Sequence, residues 1–215
     1  MTYGEARDAA LYLIHQESIA GQTIPVTYNN QQDYLYRIPS LVNAAQMDLA
    51  TTAKKIPASV MLSELDLEER PGSYIYTLPK DMWQRRGSGL LVPVQRPGEP
   101  AHFTRFNNVR MLDRNRLILP MCLPMETIVE YFRYPVRLGA APEDTDELDN
   151  VPEAQEAVPY YVAAHLVMQD DAFRYATLFN EYTAKKDSMI ELPSTEPGTV
   201  QDVYFPCAGD YSFWG

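Results

Sequence analysis

Residues 127–168 read TIVEYFRYPVRLGAAPEDTDELDNVPEAQEAVPYYVAAHLVM, and this stretch passes from a strand pattern through an acidic loop into a helical pattern. In its first part, residues 127–134, the side chains alternate between two faces, which is typical of a strand. One face carries Ile128, Glu130, Phe132 and Tyr134, and the other carries Thr127, Val129, Tyr131 and Arg133. The last part opens with Pro159, which suits the first turn of a helix. The stretch therefore predicts a fold that combines strands with helices.

Short β-type runs separated by turn residues fill the region before this stretch, from residue 60 to residue 138. Residues 73–78 and 90–95 predict strands, and residues 109–119 predict a hairpin whose turn lies at 113–115. Because proline cannot donate a hydrogen bond to a neighbouring strand, Pro93 indicates that the second of these strands lies at a sheet edge.

Helical patterns lie on both sides of the β region. Apolar residues spaced by three and four predict helices over 4–20 and 31–55, the second with a kink or restart at Pro39. We expect the polar face of that second helix to be solvated; its residues are Asn43, Gln46, Asp48, Lys54 and Lys55. A further helix is predicted over 172–189, after a break or cap at 170–171. Its predicted apolar stripe is Phe173, Ala176, Phe179 and Thr183, with Tyr182 beside it.

The predicted fold class is α+β. Helices from the N-terminal and C-terminal parts of the chain form one bundle, with an inserted antiparallel β subdomain and an extended C-terminal arm. The predicted boundaries are 1–57 for the first part of the bundle, 58–140 for the β subdomain, 141–189 for the second part of the bundle, and 190–215 for the arm.

The C-terminal arm shows no helical or strand period but is rich in aromatic residues. These residues are Tyr204, Phe205, Tyr211, Phe213 and Trp214. Disordered tails are usually poor in aromatic residues, so we expect the arm to dock on a surface. That surface belongs either to another protein or to the arm's own protomer, and the sequence leaves both interpretations open.

Composition excludes several classes of protein. The net charge is −11, and only 18 of the 215 residues are Lys or Arg. Proteins that bind the phosphate backbone of a nucleic acid need clustered Lys and Arg residues, so this composition argues against a nucleic-acid-binding protein. A hydrophobic share of 46% argues against disorder over most of the chain. We expect no transmembrane helix, because no apolar run reaches the length of about 18 residues that a span needs, and no secretory signal. The two cysteines, Cys122 and Cys207, are expected to be free thiols in a cytoplasm.

The sequence contains no recognisable catalytic constellation, so we expect no enzyme activity, no cofactor and no metal. Nucleotide-binding motifs and the GxSxG elbow are lacking, and the three histidines, His15, His102 and His165, have no ligand type at a useful spacing. Asp144 and Asp146 have the spacing of calcium ligands, but the glycine and the final glutamate of that loop are missing.

Arginines make the β region locally basic. They are Arg85, Arg86, Arg96, Arg105, Arg110, Arg114 and Arg116. We interpret them as solvated strand residues in surface ion pairs, with contact to an acidic partner surface as the functional alternative.

The order of the motifs resembles tailed-bacteriophage head-to-tail adaptor proteins, also called connector or head-completion proteins. In that family, a strand that ends in a Tyr- and Pro-containing element leads through an acidic loop into Pro-Tyr-Tyr-x-Ala-Ala, an Asp-containing break and an aromatic helix. The matching stretches here are 131–135, the loop to Asp149, 159–164, 170–171 and 173–182. The N-terminal half is compatible through residues 33–46 and 76–81, so that the resemblance covers about residues 1–189.

The resemblance implies a structural protein of the virion neck, lying between the capsid portal and the tail and made in the host bacterial cytoplasm. Such adaptors form a ring of twelve copies that docks under the portal protein and extends the DNA channel. The ring also carries the tail, a nozzle or the next neck protein. DNA then passes through the lumen without specific binding, and no membrane is involved.

By the same analogy, the aromatic residues of the arm bind the portal. We further expect carboxylates of the acidic loop (residues 143–149) to face the lumen and repel DNA. These are Glu143, Asp144, Asp146, Glu147 and Asp149. The alternatives are another neck or tail-tube protein and, from a different class, a cytoplasmic ligand-binding or regulatory protein whose β region is the binding module.

Overall fold

The computed structural model of the chain describes residues 1–15, 30–87, 90–94, 102–107 and 109–190. The helices are α1 (Tyr3–His15), α2 (Asn30–Thr52), α3 (Pro152–Gln155), α4 (Val158–Val167) and α5 (Ala172–Met189). The strands are β1 (Ile56–Met61), β2 (Asp66–Arg70), β3 (Ser73–Thr77), β4 (Met82–Arg85), β5 (Leu90–Val94), β6 (His102–Phe106), β7 (Arg110–Met111), β8 (Arg116–Pro120) and β9 (Ile128–Arg133). The mixed α+β class with antiparallel strand pairing is confirmed.

The described residues divide into two compact units. The helical unit consists of Met1–Ile56 and the described residues from Tyr134 onward, and the β unit consists of Pro57–Arg133. Each unit has its own apolar core.

Helix α4 forms the centre of the helical unit, where it packs against α1, α2 and α5. Most of its side chains are buried, including the small residues Ala163 and Ala164. A helix that is apolar on all sides is stable only when neighbours surround it, and small side chains let those neighbours approach closely. The core of this unit therefore combines residues from the N-terminal and C-terminal parts of the chain.

Helix α2 continues through Pro39, so the helix does not restart at this proline. Pro39 cannot donate a hydrogen bond to the carbonyl of Leu35, one turn earlier. Leu35 is exposed, and water can take the place of the missing donor. Partial exposure of this turn explains why the helix tolerates the proline.

Three residues on the polar face of α2 are not solvated as expected, and we call Asn43, Gln46 and Asp48 the α2 latch. Gln46 is only 1% exposed, and its side-chain oxygen accepts a 2.8 Å hydrogen bond from the backbone N–H of Asp149. The amide of Asn43 makes two hydrogen bonds to the backbone of Leu138, at 2.8 and 3.1 Å. These side chains satisfy backbone groups of an irregular segment, which explains their burial.

Asp48, the third residue of the α2 latch, binds two side chains of α5. It accepts hydrogen bonds from the hydroxyl of Tyr182 and, at 2.8 Å, from Nζ of Lys186. Burial alone raises the pKa of the Asp48 carboxyl, but the hydrogen bonds from Lys186 and Tyr182 outweigh it and the pKa is lowered. Burial and the Asp48 carboxylate both raise the pKa of Tyr182, so this phenol stays protonated and acts as a donor.

The predicted apolar stripe of α5 is wrong at Phe173 and Ala176, which are both exposed, Phe173 to 84%. Phe179 and Thr183 are half-buried, and the buried residues of the helix are Leu178 and Tyr182. The face of α5 that packs on the core is therefore shifted from the predicted stripe. The predicted cap is confirmed, because the Asp171 carboxylate accepts a hydrogen bond from the backbone N–H of Arg174 at 2.9 Å.

The β unit contains two sheets. The first has the strand order β1-β9-β5-β6, with β4 also paired to β9, and the second has the order β2-β3-β8-β7. The predicted hairpin is confirmed as β7 and β8, and Asp113 in its turn accepts a hydrogen bond from the backbone N–H of Asn115. The alternation predicted for β9 is also confirmed, since Val129 and Tyr131 are buried on the same face.

Two expectations for the β unit are wrong. Strand β5 pairs with β6 on one side and β9 on the other, so Pro93 does not lie in an edge strand. Leu91 of β5 pairs with Ile128 of β9. Pro93 lies two residues beyond Leu91, outside this pair, where β9 requires no hydrogen-bond donor from β5. Cys122 is disulfide-bonded and is not the free thiol that was expected. The number of cysteines does not reveal which side chains the fold brings together.

We predict that Asp48→Asn and Tyr182→Phe each lower the free energy of unfolding at pH 7 by about 1.5–3 kcal/mol, the range for hydrogen bonds to charged groups. The control is Tyr12→Phe, since Tyr12 is 63% exposed. Urea unfolding measures the change. The pKa of the Asp48 carboxyl is lower in the folded state than in the unfolded state. The carboxylate therefore contributes fully to the free energy of unfolding at pH values above the unfolded pKa of about 4, and this contribution is lost as the pH falls below that value and the carboxyl becomes protonated. The difference between wild type and Asp48→Asn should therefore shrink at acid pH, and a constant difference would contradict the assignment.

Candidate functional site

The acidic loop, one of the two candidate sites from the sequence, is bound to the N-terminal turn of α1. The backbone N–H groups of Tyr3 and Gly4 donate to the carbonyls of Asp146 and Asp144, at 2.7 and 3.1 Å. In return, the N–H of Leu148 donates to the carbonyl of Met1 at 3.1 Å. The loop therefore satisfies N–H groups that a helix start leaves without partners.

Gly4 allows this close approach. A Cβ at this position would lie 3.0 Å from both the Cβ and the backbone oxygen of Asp144, which is tighter than nine in ten Cβ contacts in proteins. A side chain at this position would therefore require the loop at Asp144 to shift.

Two of the five candidate carboxylates hold the loop in its conformation. Asp146 accepts a 2.9 Å hydrogen bond from the backbone N–H of Glu143, and Asp149 accepts a 2.6 Å hydrogen bond from that of Val136. Both aspartates are half-buried. Their negative charge is directed at backbone donors of the same unit.

Asp144 forms a bidentate pair with Arg7, whose two terminal nitrogens lie 2.5 and 3.2 Å from its carboxylate oxygens. Arg7 donates hydrogen bonds to Asp8 and to Asp144, and both bonds raise the pKa of its guanidinium, the bond to Asp8 more than the bond to Asp144. Asp144 nevertheless stays 63% exposed. The pair attaches the loop to α1 and partly neutralises the loop.

Glu143 and Glu147 are both exposed. The structure thus brings the five candidate residues together in one loop but separates them by role. Asp146 and Asp149 stabilise the loop, Asp144 binds α1, and Glu143 and Glu147 present their charge to solvent. The sequence did not separate these roles, because the partners of Asp144 and Asp149 belong to other parts of the chain, at Arg7 and Val136.

Two grooves of the helical unit flank α1. The first has a volume of 310 Å³ and lies between α1, α2 and residues 140–144, with Tyr36 at its wall. Tyr36 is 86% exposed. The second has a volume of 610 Å³ and is bounded by α1, α4, Glu156 and Lys185 of α5, with Tyr12 and Tyr160 among its lining residues. Exposed tyrosines are common at protein contact surfaces because they combine an apolar ring with a hydrogen-bonding hydroxyl.

His165 of α4 lies among the aromatic side chains of α4 and α5. His165 is half-buried, its ring lies 4.1 Å from that of Tyr161, and its Nδ1 lies 2.9 Å from the Tyr161 carbonyl. No three His, Cys, Asp or Glu side chains in the described part of the chain are arranged to hold a metal ion. None of the described helices is both long and apolar enough to cross a bilayer.

Three of the arginines of the β region lie in surface ion pairs. Arg86 and Arg105 each lie 3.7 Å from a carboxylate oxygen of Glu130, and Arg116 lies 2.6 Å from Asp113. Burial lowers the pKa of Arg85. Arg96 lies outside the described residues, as do all five aromatic residues of the arm.

The α2 latch is the feature that sequence reasoning missed. Its one signal in the sequence is the spacing of Asn43 and Gln46, which are polar residues on the same side of a helix whose other side is apolar. A solvated helix face has the same pattern. Only the folded position of the segment that contains Leu138 and Asp149 shows that these polar side chains bind the backbone and do not face water.

Comparison of the chain with protein-family models and with curated proteins finds no match. The resemblance to head-to-tail adaptor proteins therefore remains a prediction from the sequence.

We predict that Gly4→Ala lowers the free energy of unfolding by about 1–3 kcal/mol, the usual cost of overpacking. Alanine favours a helix over glycine by about 1 kcal/mol, but the contact with Asp144 outweighs this gain. The control is Gly139→Ala, because a Cβ there meets nothing within 4 Å. Urea unfolding of the two variants checks the prediction, and equal stabilities would contradict it.

Proposed function

We propose that this protein is a head-to-tail adaptor of a tailed bacteriophage, a structural protein of the virion neck. Copies form a ring under the portal, extend the DNA channel and carry the tail or the next neck protein. The observation that carries the proposal is the order of motifs from Tyr131 to Met189, with a strand, an acidic loop, a Pro-Tyr-Tyr helix and an aromatic helix in succession.

The arrangement of the helical unit supports this proposal. Its core joins residues of α1 and α2 with residues of α4 and α5, while the strands lie between them in the chain. In the proposed fold, the helices are one bundle and the β unit is an inserted subdomain. A ring of identical copies needs two different surfaces on each copy, and a chain with two units supplies them.

The exposed carboxylates of the acidic loop support a role beside DNA without binding it. Glu143 and Glu147 are both exposed, and the net charge of the chain is −11. Fixed negative charge near the path of DNA weakens its association with the channel wall. In the proposal, these two side chains belong to the lumen surface.

Mass measurement by light scattering tests the proposal against the regulatory alternative. The mass of the protein is measured alone and again after mixing with portal protein. The portal protein is taken from the tailed phage whose genome encodes this chain. A ring-sized complex that forms on the portal supports the adaptor. A small oligomer whose mass does not change with portal contradicts the adaptor and favours a ligand-binding or regulatory protein.

We predict that truncation after Ile190 weakens portal binding by at least about tenfold, since the arm's aromatic side chains would supply the anchoring contacts of the interface. Pull-down with portal protein measures the effect. The control is Tyr12→Ala in the full chain, which removes one exposed aromatic residue outside the arm. Undiminished binding of the truncated chain would contradict the role of the arm.

We predict that the double variant Glu143→Lys and Glu147→Lys assembles normally but slows DNA release from virions, because a positive lumen attracts phosphate. The matched control is Glu69→Lys and Glu126→Lys, which changes the net charge equally at two exposed positions of the β unit. The rate of DNA ejection in vitro distinguishes them. Equal ejection rates would exclude the acidic loop from the lumen surface.

A further inference from the structure

Ile75 of β3 is a buried residue that lies outside both apolar cores. Its neighbours Tyr74 and Tyr76 project from the opposite face of the strand and contact the core of the β unit. Ile75 therefore projects from the outer face of the second sheet. It is nevertheless only 1% exposed, and neither core of the described residues includes it. Some other part of the protein must cover this face.

The residues beside Ile75 on this face follow from the strand register. Glu68 of β2 and Ile118 of β8 lie directly opposite Ile75, and Arg110 of β7 lies opposite Ile118. Directly opposed residues share a face of the sheet. The outer row is therefore Glu68, Ile75, Ile118 and Arg110, with an apolar centre between charged ends. Ile118 is half-buried, whereas the two charged residues are exposed.

Cys122 lies close to this face in the chain. It follows the end of β8 by two residues and is disulfide-bonded. The sequence contains one other cysteine, Cys207, which belongs to the arm. If the disulfide forms within one chain, Cys207 is its second half.

Chain length and chemistry fit the arm to the outer row. Cys122 lies four residues beyond Ile118, and Val203 lies four residues before Cys207, so each stretch spans about 13 Å when extended. The residues before Cys207 are VYFP, which are apolar or aromatic. Residues 191–215 also contain four acidic and no basic residues, whereas the row ends on Arg110. The arm thus offers both an apolar cover for Ile75 and a charge complementary to the arginine.

We propose that the C-terminal arm docks on the outer face of the β2-β3-β8-β7 sheet, over Ile75 and Ile118, and that a disulfide between Cys122 and Cys207 fastens it there. In the docked state residues 203–206 lie over the isoleucines. The proposal concerns the free chain and holds whether or not the protein is a phage adaptor.

Formation of the bond requires an oxidant, for which a small-molecule disulfide such as oxidised glutathione suffices. One cysteine thiolate attacks the reagent and displaces one thiol, and the second cysteine then attacks the mixed disulfide and displaces the other. Two cysteine thiols lose two electrons and two protons in total, and one reagent disulfide becomes two thiols. A dithiol reductant reverses the exchange and frees the arm from its covalent attachment.

Alkylation of the full chain tests the disulfide. The protein is equilibrated with oxidised glutathione, denatured without reductant, treated with iodoacetamide and weighed by mass spectrometry. The proposal expects an unalkylated chain, and alkylation at both cysteines only after reduction. A chain that carries two alkyl groups or two glutathiones before reduction would overturn the covalent part of the proposal.

Cleavage by chymotrypsin after Tyr204 tests the docking surface in the oxidised full chain. Arg110→Glu and Ile75→Asp should each make cleavage about tenfold faster, because cleavage follows the population of the undocked segment. The matched controls are Arg105→Glu on the other sheet and Leu67→Asp on the opposite face of the same sheet, both exposed in wild type. Circular dichroism checks that each variant is folded, and Arg110→Glu serves even where Ile75→Asp does not fold.

Unchanged cleavage in Arg110→Glu would overturn the docking surface, since it would show that another part of the protein covers Ile75. Cleavage that accelerates equally in a variant and its matched control would do the same. Selective acceleration with an intact disulfide supports the proposal.

Discussion

The helical unit depends on hydrogen bonds that the side chains of α2 make to a part of the chain without regular structure. Residues 134–150 return from the last strand to α3 and cannot pair their own backbone groups as a helix or sheet would. Gln46 and Asn43 provide those partners, and Asp48 holds α5 from the same helix face. A buried backbone group without a partner costs about 1–3 kcal/mol, so these contacts decide where the returning chain lies. The acidic loop, the first turn of α1 and the grooves beside it all take their positions from that path.

The same constraint explains how the acidic loop divides its charges. The N–H groups of the helix start are satisfied by the backbone carbonyls of Asp144 and Asp146. The carboxylates of Asp146 and Asp149 instead accept hydrogen bonds from N–H groups of the returning chain itself, and charged acceptors make such bonds strong. The carboxylate of Asp144 binds Arg7. Glu143 and Glu147 are the two candidate carboxylates that are exposed and have no part in holding the loop, while Asp144 is exposed but paired with Arg7. The unpaired charge of this loop is therefore smaller than its sequence suggests.

In the β unit, alternation along the strands fixes one face of each sheet against the core. The opposite face of the second sheet is less simple, because it carries an isoleucine that is buried without belonging to that core. We propose the C-terminal arm as the cover of this face, and the same aromatic side chains are the portal contacts of the proposed function.

The sequence by itself determined the features that depend on neighbours in the chain. The mixed α+β class, the β7-β8 hairpin, the alternation of β9 and the cap at Asp171 all follow from local periods and turn chemistry. Tertiary structure alone decided the roles of Gln46, Asp48 and Asp149, because their partners lie about a hundred residues away or in another element. It also decided that Pro93 lies in an inner strand and that Ile75 is covered. A polar residue looks the same in sequence whether it faces water or a backbone group, and only the folded path of the chain distinguishes the two.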